Sequence, residues 1–224
     1  MFYTVNAHKG DAGVVVNGIL QLFCGTVIHD HDAKLYKYGS RHGTCNAHLL
    51  RDLPGMVQLW KLSWAERMRS VLFEMKAYKD KDISSSEPAV TLSGKPAATC
   101  CDMETYGKFS ACRDECVQDG KHELAQMQKV DFGYVELRKM VAGLTSFKAN
   151  HMLFLADYSV PFTNNLAERD LRLCKLKENI SKTFRSWNGA KRYAVVSSAI
   201  ATALRSNLPV FTSLVSLLGR GAEL

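Results

Sequence analysis

Residues 161–172 read PFTNNLAERDLR. Asn165 and Glu168 stand three apart, the spacing of a helix N-cap and the carboxylate that reaches back to it. On that reading Glu168 only ties down a helix start. The position also allows chemistry: a carboxylate in the positive first turn of a helix suits a metal site, and Arg172, one turn on and on the same face, can touch a phosphate. A second group is HDHD, residues 29–32. The preceding CGTVIH reads as a short buried strand, which puts Asp30 at its carboxyl end, where α/β folds build their sites. In an extended chain Asp30 and Asp32 share one side, and His29 and His31 the other. That is either a polar turn or a His/Asp site for a transition metal. Cys45 and His48 are three apart on one helical face, half of a zinc site without an evident second half. Cys112 and Cys116 lie one turn apart, with Cys100 and Cys101 upstream and His122 downstream. They read as reduced packing thiols or as a structural zinc site.

Beyond Glu168 the chain turns basic. Between 169 and 192 stand Arg169, Arg172, Lys175, Lys177, Lys182, Arg185, Lys191 and Arg192, against Asp170 and Glu178. Most of the whole-chain excess of +7 lies here. Such a face is either simply solvated or tracks phosphates, and its place beside a candidate metal carboxylate favours nucleic acid. The apolar stretch from Tyr193 to Leu218 is broken by Arg205 and Pro209. Neither piece reaches the roughly 20 residues a bilayer needs, so no membrane partner is expected. The start, MFYTVNAHKG, lacks the basic region and cleavage site of a signal peptide. Seven cysteines, an odd number without framework spacing, fit reduced thiols.

These residues need elements to position them. YTVNAH, 3–8, alternates as a strand. Residues 45–53 put Leu49, Leu50 and Leu53 on one helical face. From Trp60 to Lys81, Trp60, Trp64, Met68, Val71, Leu72, Met75 and Tyr78 recur at three- and four-residue steps, which predicts a long amphipathic helix. Residues 83–99 are rich in Ser, Pro and Gly and read as a flexible loop. Helical patterns resume over 103–129, 132–148, 166–179 and 190–206, with a last short helix after Pro209. With 224 residues, 46% of them hydrophobic, a sizeable core is expected.

Taken together, VPFTNNLAERDLRLCKLKENISKTFRS, GTVIHDHDAKLYKYG followed by CNAHLLRDL, WAERMRSVLFEMK and FLADYSVPF resemble, in order, the insertion-sequence-sixty-six family of bacterial DDE transposases. The resemblance covers most of residues 3–206 and is weakest over 83–130. Thr163 and Leu166 stand where the family usually has aspartate and glutamine.

The resemblance implies an α/β fold: an incomplete RNase H-like core with a mostly α-helical insertion and a helical C-terminal part. It implies three carboxylates holding two Mg2+ (or Mn2+) ions for phosphodiester cleavage and strand transfer. The second acidic position falls on Asp30 and the last on Glu168. Cys45, His48, Asn164 and Asn165 match structural motif positions, and Arg169, Arg172, Lys175, Lys177 and Arg185 become candidate DNA contacts. The family's first aspartate lies on a strand ahead of the one that YTVNAH resembles, so the chain reads as a truncated, inactive copy with an incomplete metal site. The division expected is 1–53 for the partial core, 54–157 for the helical insertion, 158–206 for the Glu168 helix and basic segment, and 207–224 for a C-terminal helix and tail. The implied partner is DNA, at element ends and target, with room for a homo-oligomer and no small-molecule substrate. The expected location is the bacterial cytoplasm, at the nucleoid when DNA-bound. The competing reading is a non-catalytic DNA-binding or dimerising transposase remnant.

Overall fold

The computed structural model describes residues 3–6, 18–30, 32–85, 100–181 and 184–220. The chain forms two compact units, Cys24–Ala167 and Met1–Phe23 with Glu168–Leu224.

The first unit is built on a small parallel sheet. Strand β1 (Thr26–His29) pairs with β2 (Arg41–Thr44) in the register Thr26↔Arg41 to His29↔Thr44. The apolar run that predicted a buried strand is β1, with Val27 and His29 buried and Asp30 just past its end. A short return with one turn of 3-10 helix (Leu35–Lys37) carries the chain back to a parallel partner. So short a return needs Gly39 at φ +80; a Cβ there would stand 2.6 Å from Val27 Cγ2 and 2.7 Å from the Gly25 carbonyl oxygen. The Cys45 amide donates to the His29 carbonyl and extends the ladder by one bond. Helix α1 (Asn46–Trp60) starts there.

The rest of this unit is helical. α1 ends on Lys61 in the left-handed region, and α2 (Ser63–Ser85) follows at once. The expected stripe is observed from Trp64 on, whereas Trp60, expected to open it, ends α1 instead and its side chain lies outside the described residues. Trp64, Met68, Leu72 and Met75 are almost wholly buried, and Val71 and Tyr78 pack beside them. The helix continues through 83–85, which the composition assigned to a loop; residues 86–99 lie outside the described residues. α3 (Met103–Gln126) is capped by Asp102, whose side chain accepts from the Thr105 amide. α4 (Tyr134–Ser146) and α5 (Lys148–Ala156) meet at Phe147. Pattern reading stops at 148 because nothing in KANHMLFLA marks a fresh start. Leu49, Leu53 and Met56 of α1 join Leu137, Val141 and Leu144 of α4 and Met152, Phe154 and Leu155 of α5 in one core.

In the other unit α6 (Asn165–Ser181) enters from Ala167, and α7 (Trp187–Arg205) and α8 (Val210–Arg220) follow. Ser186 caps α7 by accepting from the Gly189 amide. Residues 3–6, expected as the start of a strand, are not in a sheet. The Tyr3 amide instead donates to Ser198 Oγ on α7, and its hydroxyl donates to the Asp170 carbonyl on α6. The Ser198 hydroxyl thus satisfies a backbone N–H that a ladder would have paired with a neighbouring strand. Residues 7–17 lie outside the described residues.

The architecture is thus mixed α/β, a two-stranded parallel sheet with a mostly helical body among the described residues. The sheet is open.

Candidate metal and nucleic-acid site

Asp30 emerges exposed from β1, while its neighbour His29 is 1% exposed and turned into the core. The strand's alternation separates the two. His29 meets Tyr36 edge-on, with ring centroids 4.5 Å apart, and His42 at 5.5 Å; Tyr36 in turn stacks on Phe147 at 5.2 Å. His29 therefore belongs to an aromatic packing group. Asp32 accepts from the Lys34 amide across 3.0 Å, as in a polar turn. His31 lies outside the described residues.

Asp30 and His48 both line a groove of about 950 Å³ between α1 and α4. Leu49, Met56, Met140 and Phe147 make its walls, and Arg51, Asp52, Glu136 and Lys139 add charge.

Cys45 is 1% exposed and precedes the first turn of α1. Its Sγ and a ligating atom of half-buried His48 lie within 4.8 Å of each other. The pair could contribute two ligands to a soft metal. The thiol is already engaged, because it accepts from the Asn164 backbone N–H across 3.1 Å. One residue along, the Asn46 amide donates to the Phe162 carbonyl across 3.1 Å. So the entry to α1 is fastened to the entry to α6. The Asn46 side chain extends this fastening. Its amide donates to the His151 carbonyl at 3.1 Å, and its Oδ1 lies 3.1 Å from His151 Nδ1, which also meets Thr44 Oγ1 at 3.0 Å.

Helix α6 begins at Asn165, which leaves Asn164 in the cap position and Glu168 in the first turn. Thr163, where the family usually has aspartate, offers its Oγ1 to the Asn165 amide at 3.5 Å. Glu168 is half-buried; Arg169, Arg172, Lys175 and Arg185 are exposed. The Lys177 side chain lies outside the described residues. Asp170 pairs with Arg205 of α7, so that carboxylate does not neutralise the exposed cations.

Among the described cysteines all are free thiols. Cys116 is buried on α3, and burial pushes its thiol pKa up. Cys112, one turn earlier, is exposed. Neither appears in a three-ligand cluster among the described residues.

The motif reading passed over Asn46, His151, Asp157 and Lys79. Polar residues inside apolar helical stretches give no periodic signal, and only the long-range contacts reveal their use. No helix of the described residues is long and apolar enough to cross a membrane.

No curated protein and no solved structure matches the chain. A family model described as "Transposase IS66 family" does, over residues 2–192. That span takes in β1 and Asp30 just past it, the Cys45–His48 turn, the fastened entry to α6 and Glu168, and with most of its length inside the match the chain belongs to the IS66 family of transposases.

Proposed function

We propose that this chain carries part of the machinery of DNA transposition by metal-dependent phosphodiester cleavage and strand transfer. The observation that carries the reading is the family match over residues 2–192, a span that includes both Asp30 and Glu168. Asp30 stands exposed at the carboxyl end of a parallel strand, and Glu168 stands in the first turn of a helix whose entry is anchored. Carboxylate oxygens suit Mg2+ or Mn2+. The Cys45 thiol does not suit such hard ions, and its bond to Asn164 supports a structural part for it. Asp30 and Glu168 would be the ligands; a metal pair supplies charge stabilisation for the attacking and leaving oxygens. The fold that brings them together would be an RNase H-like core. The exposed Arg169, Arg172, Lys175 and Arg185, with Lys177, would meet DNA phosphates.

The resemblance assigns Asp30 and Glu168 to two of the family's three carboxylates, and these two are the ones proposed as ligands. The test is nicking of supercoiled plasmid with Mg2+ or Mn2+, using the chain extended ahead of Met1 by the family's acidic hairpin. Nicking that appears with the extension and disappears in Asp30→Asn and in Glu168→Gln supports the reading. Nicking indifferent to both substitutions contradicts it.

A further inference from the structure

Among the described residues Lys79 is the one buried lysine, 6% exposed. It follows Met75 by one turn on α2, in the stripe that elsewhere holds Trp64, Met68, Leu72 and Met75. A methionine or leucine would complete that stripe. The ammonium is desolvated there, and burial pushes its pKa down. Asp80 and Asp157 attract it from a distance, but among the described residues no carboxylate forms an ion pair with it. Its Nζ donates to the Val160 carbonyl across 2.6 Å and stands 5.9 Å and 5.4 Å from the ring centroids of Phe154 and Tyr158. An apolar side chain would complete the stripe without the cost of burying a charge, and it would leave the buried Val160 carbonyl without its donor. Packing alone therefore does not account for a lysine here.

What Lys79 holds is the segment 157–164 between α5 and α6. Arg41 of β2 grips Asp157 across 2.6 Å. Asp82, on α2 three residues from Lys79, accepts from the Tyr158 hydroxyl across 2.8 Å. The Asn46 amide and Cys45 Sγ hold Phe162 and Asn164. The middle of the segment is Val160-Pro161, and proline has no N–H to offer. The Val160 side chain lies on the sheet, where a Cβ on Gly43 would come within 3.3 Å of its Cγ1. Its carbonyl is the polar group left for α2 to hold, and Lys79 holds it.

We propose that Lys79 is a positioning residue: its ammonium fixes the Val160 carbonyl so that the segment enters α6 in one register, coupling the long helix α2 to the helix that carries Glu168. The inference rests on the reading of Glu168 as a metal ligand, and its test separates the two. The full 224-residue chain, labelled with 15N, is compared with Lys79→Met and Lys79→Arg. In Lys79→Met the thermal midpoint falls by no more than the loss of one buried hydrogen bond predicts. Amide exchange at Asn46 and Asn164 speeds up about tenfold through local opening, while exchange at Met68 and Val117 is unchanged. Lys79→Arg, which keeps a donor, recovers slow exchange at both amides. Apparent Mn2+ affinity, read by electron paramagnetic resonance of the free ion, falls about tenfold in Lys79→Met, as a ligand displaced by a loosened support predicts. Unchanged exchange at Asn46 and Asn164 overturns the proposal. So does a larger fall in midpoint with faster exchange throughout the core, which would make Lys79 a packing residue, and so does an unaltered Mn2+ affinity. If the wild-type chain binds no Mn2+, the reading of Glu168 fails, and the exchange rates still decide the role of Lys79.

Discussion

The backbone N–H of Asn164 donates to the Sγ of Cys45 across 3.1 Å, joining residues 119 positions apart. This bond ties the turn before α1 to the turn before α6. Cys45→Ala removes the acceptor and leaves a half-buried amide unsatisfied, at a cost of about 1–3 kcal/mol. Cys45→Ser keeps an acceptor and should lose less. Urea unfolding of the two variants measures the difference, and equal losses would count against the bond.

Gly39 holds the short return of the parallel pair at φ +80, with Val27 Cγ2 and the Gly25 carbonyl where a Cβ would go. Gly39→Ala should lower stability by about 1–3 kcal/mol from strain alone, and by more if the backbone oxygen cannot retreat. A denaturation midpoint unchanged from wild type would show that the return relaxes freely.

Asp102 caps α3, and its carboxyl pKa is held down to about 2, first by the Thr105 backbone N–H, with the Tyr78 hydroxyl also donating across 2.8 Å. Its folded value lies below the unfolded one of about 3.9. The stability it contributes is therefore present above about pH 4 and lost as pH falls toward about 2. Asp102→Asn keeps a capping oxygen but cannot titrate. The gap in unfolding midpoint between wild type and Asp102→Asn should change over that window and stay constant between about pH 5 and 7.

The basic segment makes a prediction about DNA. If about five of its cations meet phosphates, log affinity for duplex DNA against log salt should slope near −4.5, from about −0.9 per contact. Reversing Lys175 and Lys177 to glutamate should flatten the slope. Fluorescence anisotropy with an arbitrary duplex measures it, and an affinity indifferent to salt would remove phosphate contact from the account.

How much of this was legible in sequence differs by element. The α2 stripe was, because Trp64, Met68, Leu72 and Met75 recur at the period of the helix that buries them. β1 was too, as a short apolar run closed by Asp30. The start of α5 was not: Phe147 interrupts the helix without a proline or a capping side chain to announce it. The 3–6 segment misled because alternation reports a possible strand, whereas Tyr3 is held by Ser198 and Asp170, far along the chain. At the candidate site, Asp30, Cys45, His48 and Glu168 could be named from motifs. The bonds that hold Asn164, Phe162 and Val160 in place could not, since each joins residues that share no local pattern.

The central claim is that Asp30 and Glu168, far apart in sequence, serve one metal site. Its most direct test is a substoichiometric Mn2+ titration of the 15N-labelled chain, followed by paramagnetic broadening of amide resonances. The account predicts that amides around Asp30 and those around Glu168 broaden together, and that either Asp30→Asn or Glu168→Gln abolishes both effects. Broadening at one carboxylate that survives loss of the other, or at neither, would contradict it.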